Sequence, residues 1–156
     1  MRLLFRQRMF SWFDSYDVYD EAGNTVFTVQ GHLDWGHHLH IHDSYGNHIA
    51  TVRQRVLTML SKFEFFIGGE KLGELHRKLT LFRPQYEIEF NGWHVEGDVM
   101  GWDYQVVNAQ GNLVATISKE LFHLTDHYVL DIIDPRDALC VLMLVISIDA
   151  EKCSNS

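Results

Sequence analysis

Apolar and polar residues alternate along most of this chain in short runs separated by turn-forming residues, the period-two pattern of half-buried β-strands. Twelve such runs occur, near 2–8, 16–20, 25–30, 38–42, 48–54, 62–67, 71–78, 85–90, 93–97, 102–107, 113–118 and 127–133. The turns between them repeat a theme. The pattern D/N-x-x-G-N appears at 20–24 (DEAGN), 43–47 (DSYGN) and 108–112 (NAQGN). Its opening Asp or Asn can bond its own backbone, and Gly-Asn supplies the positive φ of a tight return. Asn91-Gly92, between YEIEF and WHVEG, predicts a further hairpin, and Gly68-Gly69-Glu70-Lys71 another. With two prolines and 11 glycines the chain has no Pro-rich or Gly/Ser-rich linker, so residues 1–156 read as one domain.

One segment breaks the alternation. In 138–148 (ALCVLMLVISI) every residue but Ser147 is apolar, and a helix apolar on all sides belongs in a core or a bilayer. At about 1.5 Å per residue the run covers roughly 16 Å, about half a bilayer's hydrocarbon thickness, which favours the core. Asp134 can cap the helix, Pro135 suits its first position and Asp137 meets the positive helix end, predicting a core helix over about 135–150. Asp149, Glu151 and Lys152 are expected where it emerges into water. The β-branched Val141, Val145, Ile146 and Ile148 leave a thirteenth strand as the alternative, but a proline-led cap has no role in a strand. Twelve short antiparallel strands lose their free edges by closing into a barrel, whose interior then needs a filling. The predicted fold is therefore mainly β: a closed antiparallel barrel of about twelve strands around a central hydrophobic C-terminal α-helix.

The chain also matches itself at an offset of 65 residues, which places Gly46-Asn47 on Gly111-Asn112, Ala50-Thr51-Val52 on Ala115-Thr116-Ile117, Val56 on Leu121, Met59 on Leu124 and Phe63 on Tyr128. This reads as an internal duplication of about 31–67 and 97–132.

QRMFSWF at 7–13, YDE at 19–21 with Gly23-Asn24, Gly36-His37 leading to Leu39, Asp43 with Gly46-Asn47, WHVEGD at 93–98, ISK at 117–119 and ISIDA at 146–150 carry a resemblance over the whole chain. The chain resembles the LURP-one-related family, including its YxjI-like bacterial members, which shares the Tubby C-terminal-like fold with phospholipid scramblases. The resemblance implies a twelve-stranded barrel around a hydrophobic helix, in agreement with the periodicity. It brings no catalytic motif to carry across, since fold does not fix function.

Composition narrows the function classes. Thirteen Lys and Arg against 21 Asp and Glu give a net charge of -8, which disfavours nucleic-acid binding. The two cysteines, Cys140 and Cys153, form no disulfide framework or thiolate site and are expected as free thiols in the cytoplasm. No run approaches the length of a membrane span, and MRLLFRQR is too short in apolar residues for a signal peptide. No G-x-S-x-G, H-E-x-x-H, G-x-x-x-x-G-K-[ST] or G-x-G-x-x-G occurs, so no catalytic residue is predicted. Trp12, Trp35, Trp93 and Trp102 could line a groove or pack in the core.

Two constellations remain. Among ten histidines, His38, His40 and His42 share a strand face, and His48 faces His42 across the 43–47 turn. His40, His42 and His48 are thus candidate metal ligands, or members of a solvated, pH-sensitive face. Arg6 with Arg8, and Arg53 with Arg55, share strand faces and are candidate contacts for anionic phospholipid head groups, with Arg77-Lys78 and Arg83 a third basic group. The expected function is a soluble, cytoplasmic, non-catalytic scaffold or binding protein without a cofactor. The alternatives are a peripheral phospholipid- or phosphoinositide-binding protein and a histidine-rich metal-binding surface.

Overall fold

A computed structural model of the chain describes residues 1–6, 15–34, 36–55, 60–78, 80–82, 85–122 and 125–154. Its strands are β1 (Arg2–Arg6), β2 (Ser15–Tyr19), β3 (Thr25–Asp34), β4 (Gly36–Asp43), β5 (His48–Arg55) and β6 (Lys62–Ile67), then β7 (Glu70–Lys78), β8 (Gln85–Glu89), β9 (His94–Asp98), β10 (Asp103–Val107), β11 (Leu113–Phe122) and β12 (Thr125–Ile132). Each strand lies at the position its alternation predicts. All twelve form one antiparallel sheet in the order β8-β7-β6-β5-β4-β3-β2-β1-β12-β11-β10-β9. The expectations for Gln7 to Phe13, Arg8, Trp12, Trp35, Val56, Met59, Arg83 and Leu124 fall outside the described residues.

The three D/N-x-x-G-N turns have one geometry. In each, the first residue's Oδ1 accepts from the backbone N–H groups two and four residues on, all within 2.9–3.0 Å. Each turn is followed by a one-residue register shift, so that Val26, Ile49 and Val114 are the extra residues of three β-bulges. The offset of 65 that relates the sequence halves also carries the pair Ile41–Ala50 onto Val106–Ala115 and one bulge onto the other. The β6–β7 hairpin needs only two loop residues, Gly68 and Gly69, with φ of 58° and 82°. Nothing lies within 4 Å of a Cβ added at either, so glycine is required there by the backbone conformation and not by space.

The apolar run is a helix. A 3-10 turn, Pro135–Asp137, is capped by Asp134, whose Oδ1 accepts from Arg136 N at 3.0 Å. It leads into α1 (Ala138–Ser154), which ends four residues beyond the predicted end at about 150. Every side chain from Val141 to Ile148 is buried, on all sides of the helix. The inner faces of the strands surround it with Leu3, Phe5, Val18, Val29, Leu39, Ile41, Val52, Phe63, Phe65, Leu75, Val106, Ile117 and Leu130. Burial at about 2 kcal/mol per large aliphatic side chain outweighs the few tenths by which each β-branched residue disfavours a helix. The first and last strands close the wall. β1 pairs with β12 over Arg2–Asp131 to Arg6–His127, and the N-terminal ammonium donates to Ile132 O at 2.9 Å.

Closure is incomplete at one place, between β8 and β9. The predicted two-residue turn does form there, with Asn91 and Gly92 at φ 59° and 68° and Trp93 N donating to Phe90 O at 3.0 Å. The strands beyond it do not pair. Phe90 and Trp93 at the base of the turn are both buried, edge to face at 5.8 Å, and occupy the core instead of flanking a ladder. A ladder continued from this turn would also set Glu87 opposite Glu96, a like-charge pair.

The end of α1 ties the two sides of this seam together. Tyr86 Oη, from β8, donates to Glu151 at 2.6 Å, and Arg77 of β7 stands 3.4 Å from the same carboxylate. Lys152 donates to the carbonyls of Val99 and Met100 at 2.9 and 3.1 Å, in the β9–β10 turn, and lies 4.1 Å from the centre of the Trp102 ring. Glu151 is therefore not water-facing as the sequence predicts. It is 1% exposed, because the barrel wall continues past the apolar run and supplies it with an arginine and a tyrosine. Asp149, near the same end, has its carboxyl pushed up to about 6 by burial, against the opposing effects of Lys152 and of Tyr128 Oη at 3.4 Å.

A carboxyl whose folded pKa lies above its unfolded value favours the native state when protonated, and that stabilisation is lost as pH rises from about 4 to about 6. Asp149→Asn is expected to match the parent in thermal stability at pH 3.5 and to exceed it at pH 7.5 by on the order of 2 kcal/mol. Thermal unfolding of both proteins across this range checks the sign.

Candidate functional site

With the interior filled by α1, the polar chemistry of the barrel lies on its outer face. In β4 the buried Leu39 and Ile41 alternate with His38, His40 and His42, which point outward. β3 adds His32, directly opposite His38. β5 adds His48, because the bulge that makes Ile49 the extra residue sets His48 opposite His42. The result is a histidine ladder. His40 is at its centre, 4.2 Å from the His32 ring and 4.3 Å from the His48 ring, with His42 and His48 at 5.4 Å.

The structure thus brings the candidate ligands His40, His42 and His48 together, but by their faces. His40 and His48 stack within 13° of parallel, whereas a metal is bound by ring-nitrogen lone pairs converging in the ring planes at about 2.1 Å. Among the described residues no group of three or more His, Cys, Asp or Glu side chains is arranged to hold a metal ion. His48 Nε2 lies 3.0 Å from Ala50 O and 2.8 Å from Thr51 Oγ1. A carbonyl only accepts, so Nε2 carries the proton. Burial, and then the neighbouring His32, His48, His38 and His42, hold the His40 imidazole down at about 4.

Beside the ladder, a groove of about 400 Å³ runs along β5 to the β6–β7 hairpin. His38, His48, Thr51 and Arg53 contribute its polar wall, Ile49 and Phe66 its apolar floor, and Gly68-Gly69 one end. Arg53 is directly opposite His38 on β4 and Glu64 on β6. The Glu64 carboxylate is engaged elsewhere, by Arg55 at 3.4 Å and Lys71 at 2.8 Å. Arg53 forms no ion pair among the described residues, and its Nε is buried without a hydrogen-bond partner.

The candidate lipid contacts do not form one cluster. Arg53 and Arg55 share the outer face of β5, but Arg55 is tied to Glu64. Arg6 lies four strands away, about 19 Å around the sheet at the usual strand spacing. Arg8 falls outside the described residues. In the third basic group, Arg77 points to the barrel end and Glu151. Trp93 and Trp102 are buried core residues. His32, Thr51 and Phe66 escape a sequence reading because their place depends on strand pairing; a hairpin reversal between Asp34 and Gly36 would have aligned His32 with His38.

A nearly closed barrel of twelve antiparallel strands, filled by its own C-terminal helix, defines the class of fold. The chain belongs to the LURP-one-related family, whose sequence pattern matches residues 1–149. The uncharacterised protein YxjI of Bacillus subtilis (strain 168) is 28% identical over 150 residues, covering 96% of this chain and 92% of the relative. No solved structure matches the chain.

A histidine whose folded pKa lies below its unfolded value of 6.5 destabilises the native state as pH falls from about 6.5 towards 4, because the unfolded chain takes up the proton first. His40→Gln, which installs the residue found at the equivalent position 105, is expected to show a smaller loss of melting temperature between pH 7 and pH 4.5 than the parent. Equal losses in the two proteins would remove this assignment.

Proposed function

We propose that this chain is a cytoplasmic, non-catalytic binding protein that works through its outer surface. The observation behind this reading is the occupied interior: residues 141 to 148 fill the barrel axis, and the groove of the β4–β6 face is outside the wall. Cys140 is a free thiol whose pKa burial raises, which suits a reducing compartment and argues against a nucleophile. Native mass spectrometry of the protein isolated from its own host tests the reading. A non-covalent adduct is expected that is lost from Thr51→Ala/Phe66→Ala and retained by the core variant Leu142→Ala. An adduct lost only from the core variant, chemical conversion of the adduct, or no adduct at all would count against it.

A peripheral phospholipid-binding role is a second reading, favoured by a different observation. Leu81 and Phe82 are each 94% exposed in the β7–β8 connection, after the exposed Lys78. An exposed apolar pair beside a cation suits an anionic lipid surface. Under this reading the protein co-sediments with equimolar phosphatidylcholine–phosphatidylserine vesicles in a salt-sensitive way, and Leu81→Ser/Phe82→Ser releases it. Absence of sedimentation at low salt ends this reading.

A further inference from the structure

We propose that the groove beside β5 is a binding site for a small organic anion, whose carboxylate or phosphate oxygen accepts from Arg53 while its apolar part rests on Ile49 and Phe66. The proposal rests on the outer surface being the working one and adds the chemistry of what binds there. Four features of the groove carry it.

The first is an unmet donor. Arg53 Nε is buried and lacks an acceptor, and a buried donor without a partner is costly and uncommon in folded proteins. Arg53 also lines the groove, so an incoming anion meets the guanidinium there through a charge-assisted bond. Secondly, the guanidinium charge is available. Glu64, the nearest carboxylate across the β5–β6 pair, is held by Arg55 and Lys71, and no Asp or Glu lines the groove in a chain that carries 21. A net charge of -8 repels anions from the molecule at large, so this acid-free wall is a local exception.

Thirdly, a second donor stands next to the arginine. His48 Nε2–H is shared between Ala50 O and Thr51 Oγ1, so the threonine accepts there and keeps its own hydroxyl proton as a donor in the groove lining. Thr51 and Arg53 are on the same face of β5, two residues apart, about 7 Å along the strand. Lastly, the groove is amphipathic and small. Ile49 is turned into it by the bulge, Phe66 supplies a ring face, and about 400 Å³ is at the small end of the range for small-molecule sites. Polar wall and apolar floor together select an anion with an apolar end over a bare ion.

Phenyl phosphate is the probe, titrated calorimetrically into the full chain beside inorganic phosphate. Phenyl phosphate is expected to bind more tightly than inorganic phosphate, and Arg53→Gln to weaken it about tenfold, with Arg55→Gln without effect. Circular dichroism confirms that each variant folds. The parent protein gives a readout free of any variant: backbone amide resonances of Ile49, Thr51, Gly68 and Gly69 shift on saturation, and those of β11 and β12 do not. Vesicles of equimolar phosphatidylcholine and phosphatidylserine distinguish the source of the anion. Sedimentation that depends on Arg53 assigns a lipid head group; binding of phenyl phosphate without sedimentation assigns a free metabolite. Undetectable phenyl phosphate binding, or binding indifferent to a folded Arg53→Gln, overturns the proposal. If the host-derived adduct still depends on Thr51 and Phe66, that result removes the anion alone and leaves outer-surface binding standing.

Discussion

An α-helix with no polar side must be surrounded, and the rest of this molecule is arranged to surround one. From Val141 to Ile148 each turn of α1 presents apolar side chains in every direction, so a sheet covering one face would leave the opposite face in water. Twelve strands curled around the axis meet that requirement, and each contributes a short inner row with polar residues outside. The same requirement explains why β1 pairs with β12: without that contact the sheet would be a curved wall with the helix open to solvent along one side. Where backbone pairing fails, between β8 and β9, side chains from the end of the helix take over, with Glu151 reaching β7 and β8 and Lys152 the β9–β10 turn. The helix is thus both the filling of the barrel and the tie across its open seam.

Filling the interior moves the opportunity for chemistry to the surface. Barrels with empty axes can enclose a ligand; in this one the space is occupied by the chain itself. The outer face is not uniform. On β3 to β5, imidazole rings pack with centres near 4 Å apart, His40 stacked on His48 and tilted against His32, and on β5 and β6 an arginine lines a groove with an apolar floor. From β5 to β7, Arg55, Lys62 and Lys71 are matched to Glu64 and Glu74 in a surface network. Surface pairs of this kind contribute little to stability individually. Their effect is to use up the acids and bases around Arg53, leaving it as the cation among them with no carboxylate partner in the described residues.

How much of this was legible beforehand follows from the range over which each feature is determined. Strand alternation, the Asp20, Asp43 and Asn108 turns and the Asp134-Pro135 cap are set within a few residues, and all appear where sequence predicts them. The apolar run is equally plain, since burial on all sides leaves its mark on every position. The seam is not, because Asn91-Gly92 forms its turn correctly and pairing then fails for reasons of packing at Phe90 and Trp93. Glu151 is hidden for the same kind of reason: its partners are 74 and 65 residues away in sequence, and nothing near it signals burial. The groove depends on a bulge at Ile49, a hairpin at Gly68-Gly69 and the diversion of Glu64 to two other cations. Each of these is a tertiary outcome.

The position of α1 in the sequence has a consequence for the order in which the molecule can be made. The core is the last element after all twelve strands, so a chain growing from its N-terminus produces the wall before the axis it is to enclose. Until residue 148 has been synthesised and released, inner-face side chains such as Phe5, Val29, Phe63 and Ile117 lack their partner. Folding therefore cannot proceed by adding one finished layer to another. The contacts that do not depend on the helix are the local ones, above all the Asp20, Asp43 and Asn108 turns, whose side chains bond within four residues.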